Sequence, residues 1–136
     1  MRPGRELDTL VAKHIFEHDV IIKRKIPTEV TPVGERPLKE YSKEIGAAWD
    51  IVKKTNMSLI PIEGGQWFAL AGKEDGFKSP ADFIKYLGAG DFQNAGAAIS
   101  DSVALSICLA AIRSVESRLN KGRMEAAGSS EGEIKQ

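Results

Sequence analysis

The pentapeptide HIFEH at positions 14–18 has the residue types and spacing of a zinc site. His14 and His18 are four positions apart and Glu17 directly precedes the second histidine, which is the H-x-x-E-H order of the inverted zinc metallopeptidases. On a helix both imidazoles would share one face and could reach one metal ion. The alternative is that both histidines continue the buried stripe at the end of an amphipathic helix, with Glu17 on its solvent side.

A zinc hydrolase also needs a third ligand and a cleft where zinc-bound water meets a substrate. Glu44 and Glu63 carry suitable carboxylates, but no spacing favours either of them. The chain is also several times shorter than proteases with this motif. We therefore predict no resident metal and no other cofactor, and a small zinc hydrolase using His14 and His18 is the weakest of the functions considered.

Nucleophilic catalysis is not indicated elsewhere in the sequence. The single cysteine, Cys108, lies within the apolar run ALSICLAA, where burial makes a thiol unreactive. There is no G-x-S-x-G motif, and GAGDFQ departs from a dinucleotide-binding fingerprint after two glycines. We therefore predict a protein without catalytic residues, that is, not an enzyme.

The basic run Lys23, Arg24 and Lys25 is a candidate ligand-binding element. It ends the β-branched segment 20–26, which is typical of a strand, so alternation places Lys23 and Lys25 on one face and Arg24 on the other. Such a run is common at solvated sheet edges, where it discourages aggregation. If the three side chains line a pocket instead, they suit phosphate groups.

Aromatic residues form the second binding candidate. Trp67 lies in a predicted strand, Tyr41 precedes a predicted helix, and Lys85 and Tyr86 lie within the segment 73–95. Aromatic side chains usually belong to the core, but a ring beside a cation can hold a base and its phosphates. Because glycines flank the helix that carries Tyr86, this segment could also fold over a ligand.

The elements that must position these residues alternate between helices and strands. The spacing of apolar residues predicts helices over residues 6–18 and 41–56, with Ser42 as the N-cap of the second. That second helix would bury Ile45, Ala48, Trp49 and Val52 on one face. An irregular connection with some extended backbone is predicted after residue 26, where Pro and Gly recur.

A hairpin is the clearest local signal in the sequence. Residues 57–63 and 66–72 resemble strands and flank the pair Gly64-Gly65, which favours a tight turn. Pro61 lacks a backbone donor, so its strand is predicted to lie at an edge or to contain a bulge.

The segment 73–95 is predicted to be a helical insertion followed by a flexible return. Ser79 as N-cap, Pro80 at the first helical position and Gly88 as the stop define a short helix anchored by Phe83, Ile84 and Leu87.

A last helix is predicted to begin after Ser100 or Asp101 and to continue to Leu119, with its first turns buried on every side. Residues 120–136 lack the apolar content needed for ordering and are predicted to form a flexible tail.

The composition sets limits on partners and location. The 136 residues contain 19 Lys and Arg and 19 Asp and Glu, so no overall field favours nucleic acid or an anionic membrane. One cysteine excludes an internal disulfide framework and fits a reducing compartment. No secretory signal and no long apolar run is present, and we expect a cytoplasmic protein without nucleic-acid or membrane partners.

Four segments together resemble the phage ABA-sandwich domain family of small phage and prophage proteins. They are RELDTLVAK, YSKEIGAAWDIVKK, QWFAL and AISDSVALSICLAAIRSV. The resemblance covers residues 5–119, and relative to that family both the segment 73–95 and the tail are additions. It implies an α+β fold in which flanking helices cover a small antiparallel sheet, an α/β/α-like sandwich, within a single domain over residues 1–119. The family carries no established activity.

These observations favour a phage-encoded binding protein that sequesters a small nucleotide-derived immune signal in the cytoplasm of the bacterial host. The predicted ligand residues are Lys23, Arg24, Lys25, Tyr41, Trp67, Lys85 and Tyr86. Such a sponge binds without turnover and is often a homo-oligomer. The alternative is an inhibitor or adaptor that contacts a host protein through a sheet edge or the insertion.

Overall fold

The computed structural model describes residues 1–71, 77–89 and 96–134, with side chains described as far as residue 119. The described residues form four helices: α1 (Arg5–His14), α2 (Ile45–Thr55), α3 (Pro80–Ala89) and α4 (Val103–Ile134). They also form six strands: β1 (Asp19–Lys23), β2 (Ile26–Thr31), β3 (Gly34–Pro37), β4 (Ser58–Ile62), β5 (Gln66–Ala71) and β6 (Gly96–Ser100). The predicted single-domain α+β class is confirmed, but the strands form two separate antiparallel sheets of three strands each.

The first sheet has the order β1-β2-β3 and begins with a hairpin that the sequence does not signal. Lys23 pairs with Ile26, and the two residues between them, Arg24 and Lys25, have φ angles of 54° and 68°. Positive φ at both positions is typical of a type I′ turn. The prediction of one strand over 20–26, with alternating basic side chains, is therefore wrong, because the chain reverses within the basic run.

The second sheet has the order β4-β5-β6 and contains the hairpin predicted around Gly64 and Gly65, whose φ angles are 90° and 80°. Pro61 lies in β4 at the sheet edge, as predicted. Strand β6 was not predicted from the sequence. We expected a flexible segment leading back from the insertion to end there. The small residues of GAAIS carry little strand propensity, and pairing with β5 determines their conformation.

Helix α4 packs against both other helices of the core, α1 and α2, and against β5 and β6. Its first turns are largely buried, as predicted, although Val103, Leu105 and Leu109 are only partly so. The fully buried apolar residues are Ala104, Ile107, Cys108, Ala110, Ala111 and Ile112. The N-cap is Ser102, whose Oγ accepts a 3.2 Å bond from the amide of Leu105, rather than the predicted Ser100 or Asp101. At its start β6 touches α4 so closely that only a glycine, Gly96, fits there.

Helices α1 and α2 each bury one stripe against α4, though not the full stripes predicted. In α2 Ala48, Ile51 and Val52 are buried, whereas Ile45 and Trp49 are 52% and 48% exposed. Helix α2 begins three residues later than its predicted cap because the hydroxyl of Ser42 bonds the buried carboxylate of Asp8 instead, at 2.7 Å. The helix ends at Thr55 and is followed by Asn56, which takes the left-handed conformation common at the end of a helix.

Helix α3 confirms the predicted cap, since the amide of Asp82 donates to Ser79 Oγ at 3.2 Å. None of its residues is buried, and Ile84 is 67% exposed, so the predicted anchoring through this side chain is wrong. Phe77 instead packs its ring against Phe83 and Tyr86, at centroid distances of 5.0 and 5.2 Å. Part of the predicted insertion, residues 73–76 and 90–95, lies outside the described residues.

The helical backbone of α4 continues to Ile134, through most of the segment predicted to be a flexible tail. The flexibility of that tail stays a prediction. No described helix is both long enough and apolar enough to cross a membrane.

The burial of Cys108 leads to a prediction about the reactivity of its thiol. Burial, with the negative charge of Asp8 nearby, raises the pKa of this thiol far above its usual value, so it stays protonated and shielded at neutral pH. We expect a thiol-specific disulfide reagent to modify the native protein at least about a hundredfold more slowly than the protein in 8 M urea. Comparable rates in both conditions would contradict the burial of this side chain.

Candidate ligand cleft and a buried carboxylate cluster

The structure separates the two histidines of the HIFEH motif. Helix α1 ends at His14, and Glu17 has a φ of 57°, which turns the chain toward β1. The prediction that a helix runs through His18 and places both imidazoles on one face is therefore wrong. Within residues 1–71, 77–89 and 96–134, no group of three or more histidine, cysteine or acidic side chains is arranged to hold a metal ion. His14 and His18 belong instead to two different sites.

His18 is part of a cluster around Glu29, a fully buried carboxylate in the middle strand of the first sheet. His18 Nδ1 lies 2.8 Å from Glu29 Oε2, and Tyr41 donates its hydroxyl at 2.9 Å to both carboxylate oxygens. The Lys39 amide donates to Oε1 at 3.0 Å, and Arg36 Nη2 donates to Oε2 at 3.3 Å. Every acceptor direction of the carboxylate is therefore used within the chain.

The environment of Glu29 keeps it ionised. Burial alone would raise the pKa of this carboxyl, but the Lys39 amide, His18, Tyr41 and the positive charge of Arg36 outweigh burial and lower the pKa below its usual value. Burial beside the same carboxylate raises the pKa of the Tyr41 hydroxyl well above its ordinary value. A deprotonated acid and a protonated phenol are the states that bond each other best.

Ring stacking completes the cluster. The ring of Phe16 lies 5.9 Å from that of His18 and 5.3 Å from that of Tyr41, within 26° of parallel in both cases. Both stacked partners of Phe16 also bond Glu29. The cluster thus connects the turn after α1, strand β2 and the segment before α2, and we assign it to holding these three parts together.

The second site is a cleft of about 490 Å³ at the carboxyl-terminal ends of α1 and α2, beside the middle of α4. Its polar lining consists of His14 and Glu17 near the end of α1, Lys54 and Thr55 in the last turn of α2, and Ser114 and Arg118 on α4. Ile15, Ala111 and Leu119 contribute apolar surface. The volume lies within the range of small-molecule sites in proteins.

Helical spacing explains how the cleft is built. Ser114 and Arg118 are four residues apart on α4, so their side chains lie on one face. Lys54 and His14 each occupy the last turn of a helix, and the positive charge of Lys54 also complements the dipole of α2. Among the described lining residues, two permanent cations and one carboxylate give a net positive charge.

The predicted ligand residues lie in four other parts of the fold. Lys23, Arg24 and Lys25 are at the β1–β2 turn, where Lys23 forms an exposed 2.5 Å ion pair with Glu35 of β3. Lys85 and Tyr86 lie on α3. No described residue of this set lines the cleft.

The two other predicted aromatics differ in accessibility. Tyr41 is only 1% exposed, so in this conformation its ring cannot stack on a ligand. Trp67 is half-buried in β5, and its carbonyl accepts a 3.0 Å bond from the Ser106 hydroxyl of α4. Trp67 remains a candidate for contact with a ligand, at a place separate from the basic turn.

Comparison with known proteins supports the fold. No protein-family model and no curated protein matches the chain. A crystal structure at 2.0 Å of a phage protein from Bacillus cereus ATCC 14579 is similar, with a TM-score of 0.55 and 18% sequence identity over 85% of this chain and 89% of that one. This chain therefore shares its single-domain α+β fold with a phage protein. The resemblance to the ABA-sandwich family in particular stays a prediction.

Proposed function

We propose that the protein is a phage-encoded, non-enzymatic binding protein that sequesters a small nucleotide-type ligand, an immune signal of the bacterial host. The cleft between α1, α2 and α4 carries this proposal, because it combines the volume of a small-molecule site with a positively charged lining. It replaces the basic turn and the insertion as the place where we expect the ligand.

The chemistry of the lining suits a nucleotide. Lys54 can donate charge-assisted hydrogen bonds to phosphate oxygens, and Arg118 adds a second positive charge to the same lining. Glu17 can accept hydrogen bonds from ribose hydroxyls or a base amino group. Ile15 and Leu119 offer apolar surface to a base. A ligand with both anionic and donor groups matches this set better than a purely anionic one.

The support for a phage origin is an analogy: the fold is similar to that of a phage protein from Bacillus cereus. Sequestration requires tight binding and no turnover. Cations placed to hold phosphates contribute to the first requirement.

Titration calorimetry with AMP, ADP-ribose and cyclic di-AMP tests the cleft. For the probe that binds, Lys54→Gln is expected to raise the Kd about tenfold, the usual effect of losing one charge-assisted bond. Lys53→Gln is the matched control, since Lys53 occupies the same helical turn but pairs with Asp50 at 3.4 Å and does not line the cleft. We expect it to change the Kd less than twofold.

Equal effects of the two substitutions would contradict the cleft as the binding site, and no heat with any probe at millimolar concentration would contradict a nucleotide ligand. Mass spectrometry of the bound fraction tests sequestration separately. After overnight incubation the probe should be released from denatured protein with its mass unchanged, whereas a hydrolysed product would identify an enzyme.

A further inference from the structure

Strand β1 is an edge strand with an unusual composition for that position. Within the described part of the chain it pairs only with β2, and its sequence DVIIK has no proline and no bulge. Ile21 and Ile22 are 41% and 70% exposed, and Ile26 across the turn is 52% exposed. Monomeric proteins usually protect such an edge with charges or proline.

The free backbone groups of β1 can be identified from its pairing. In a hairpin with a two-residue I′ turn the closing pair, here Lys23 and Ile26, exchanges backbone hydrogen bonds. Because the direction of the backbone groups alternates along a strand, the amides and carbonyls of Asp19, Ile21 and Lys23 point toward β2. The amides and carbonyls of Val20 and Ile22 point away, toward the open edge.

The charges of β1 are complementary to those of a second copy. If two copies pair antiparallel about Ile21, Asp19 of each lies opposite Lys23 of the other, and Val20 lies opposite Ile22. A parallel arrangement in register would place like charges opposite each other. The backbone agrees with the antiparallel arrangement, because Val20 and Ile22 carry the free groups and would form hydrogen-bonded pairs across the two-fold axis.

We propose that the protein forms a two-fold symmetric dimer in which β1 of one copy pairs antiparallel with β1 of the other, centred on Ile21. Two three-stranded sheets then become one continuous sheet, in which Ile21 packs beside Ile21 of the second copy and Ile22 beside its Val20. This inference rests on the sheet edge and does not depend on the ligand cleft. The exposed ion pair between Lys23 and Glu35 is compatible with this dimer. Such a pair contributes little to stability, and Lys23 can interact with Glu35 and with Asp19 of the second copy at the same time.

Sedimentation velocity of the full chain, from micromolar to millimolar concentration, tests the dimer through a charge exchange. Asp19→Lys alone and Lys23→Asp alone each place like charges at both ends of the strand pair, and each is expected to raise the dimer Kd about tenfold. The double variant restores opposite charges and is expected to return the Kd to within about threefold of the original value. Circular dichroism would confirm that each variant is folded.

A cysteine cross-link tests the register independently. Opposite residues of a non-hydrogen-bonded pair lie within disulfide distance, so Ile21→Cys is expected to give a covalent dimer under mild oxidation. Val33→Cys is the matched control, since Val33 is 95% exposed but lies outside β1. The natural cysteine does not interfere, because Cys108 is buried.

Rescue by the double variant together with preferential cross-linking through position 21 would support the proposal. A monomer at every concentration would overturn it. So would a dimer that the single charge changes leave intact, or cross-linking at position 33 as fast as at position 21. Each of these outcomes is independent of whether a nucleotide binds in the cleft.

Discussion

Replacement of Gly96 by alanine is expected to lower the free energy of unfolding by about 3 kcal/mol, the upper range for overpacking a core. A Cβ atom at this position would lie 2.5 Å from the Ser114 amide nitrogen and 2.6 Å from Ser114 Cβ, and it would also overlap the Ala110 carbonyl oxygen. Two of these atoms belong to the backbone of α4 and cannot rotate away. Relief therefore requires β6 and α4 to separate. Urea unfolding followed by circular dichroism measures the loss.

Gly46→Ala is the matched control for this substitution. Gly46 lies in α2, and nothing is within 4 Å of the position that a Cβ would occupy. Alanine is better suited to a helix than glycine, so this variant is expected to gain up to about 1 kcal/mol. The two glycine substitutions should thus change stability in opposite directions. If Gly96→Ala unfolds at the same urea concentration as the parent protein, β6 does not approach α4 as described.

Replacement of Glu29 by glutamine is expected to destabilise the fold by about 3 kcal/mol, as is usual when one partner of a buried ionic group is removed. The amide has nearly the same size, but its NH2 group would face donors that now bond a carboxylate oxygen. Arg36 would also lose its negative partner. The measurement is urea unfolding at pH 7, and Glu35→Gln is the control because Glu35 is exposed and its pair with Lys23 contributes little.

The same carboxylate makes the stability depend on pH in a defined direction. The pKa of Glu29 is lower in the folded state than its ordinary value of 4.5. The stability that the ionised carboxylate contributes is therefore complete above about pH 4.5. It is lost as the pH falls through the folded-state pKa. The difference in stability between the parent protein and Glu29→Gln should therefore narrow as the pH falls from 5 to 3. A difference that stays constant over this range would show that Glu29 does not titrate with a lowered pKa.

Elements with strong local signals could be predicted from the sequence. The glycine pair at 64 and 65 can adopt positive φ without strain, and Ser79 followed by Pro80 is sufficient to start α3. The buried start of α4 followed from its unbroken apolar sequence. In each case, neighbouring residues determine the conformation.

Features that depend on distant contacts could not be predicted. Arg24 and Lys25 take positive φ although neither is a glycine or an asparagine, because the pairing of β1 with β2 requires a tight turn. Glu29 is the only acidic residue in its strand, and its partners come from segments up to 12 positions away. No periodicity marks such a residue as buried.

The cleft is beyond sequence prediction for a related reason. His14, Lys54 and Arg118 are far apart in the chain, and only the packing of three helices brings them to one place. Lys54 had a sufficient local explanation, because a cation suits a helix terminus. The HIFEH motif, in contrast, has a spacing that indicates a metal site where the described part of the chain has none of the required geometry. Helix α1 ends before the second histidine, so the two imidazoles do not share a helical face.

The register of β5 and β6 has a consequence for how this domain can evolve. Ala71 and Gly96 are opposite partners at the end of the sheet, so the segment between them leaves and returns at neighbouring points. The entropic cost of closing such a loop grows slowly, by about 0.6 kcal/mol for each doubling of its length. Natural variants can therefore lengthen, shorten or exchange this loop while the sheet and α4 stay unchanged. Related proteins could acquire new surfaces here by recombination and keep an inherited core.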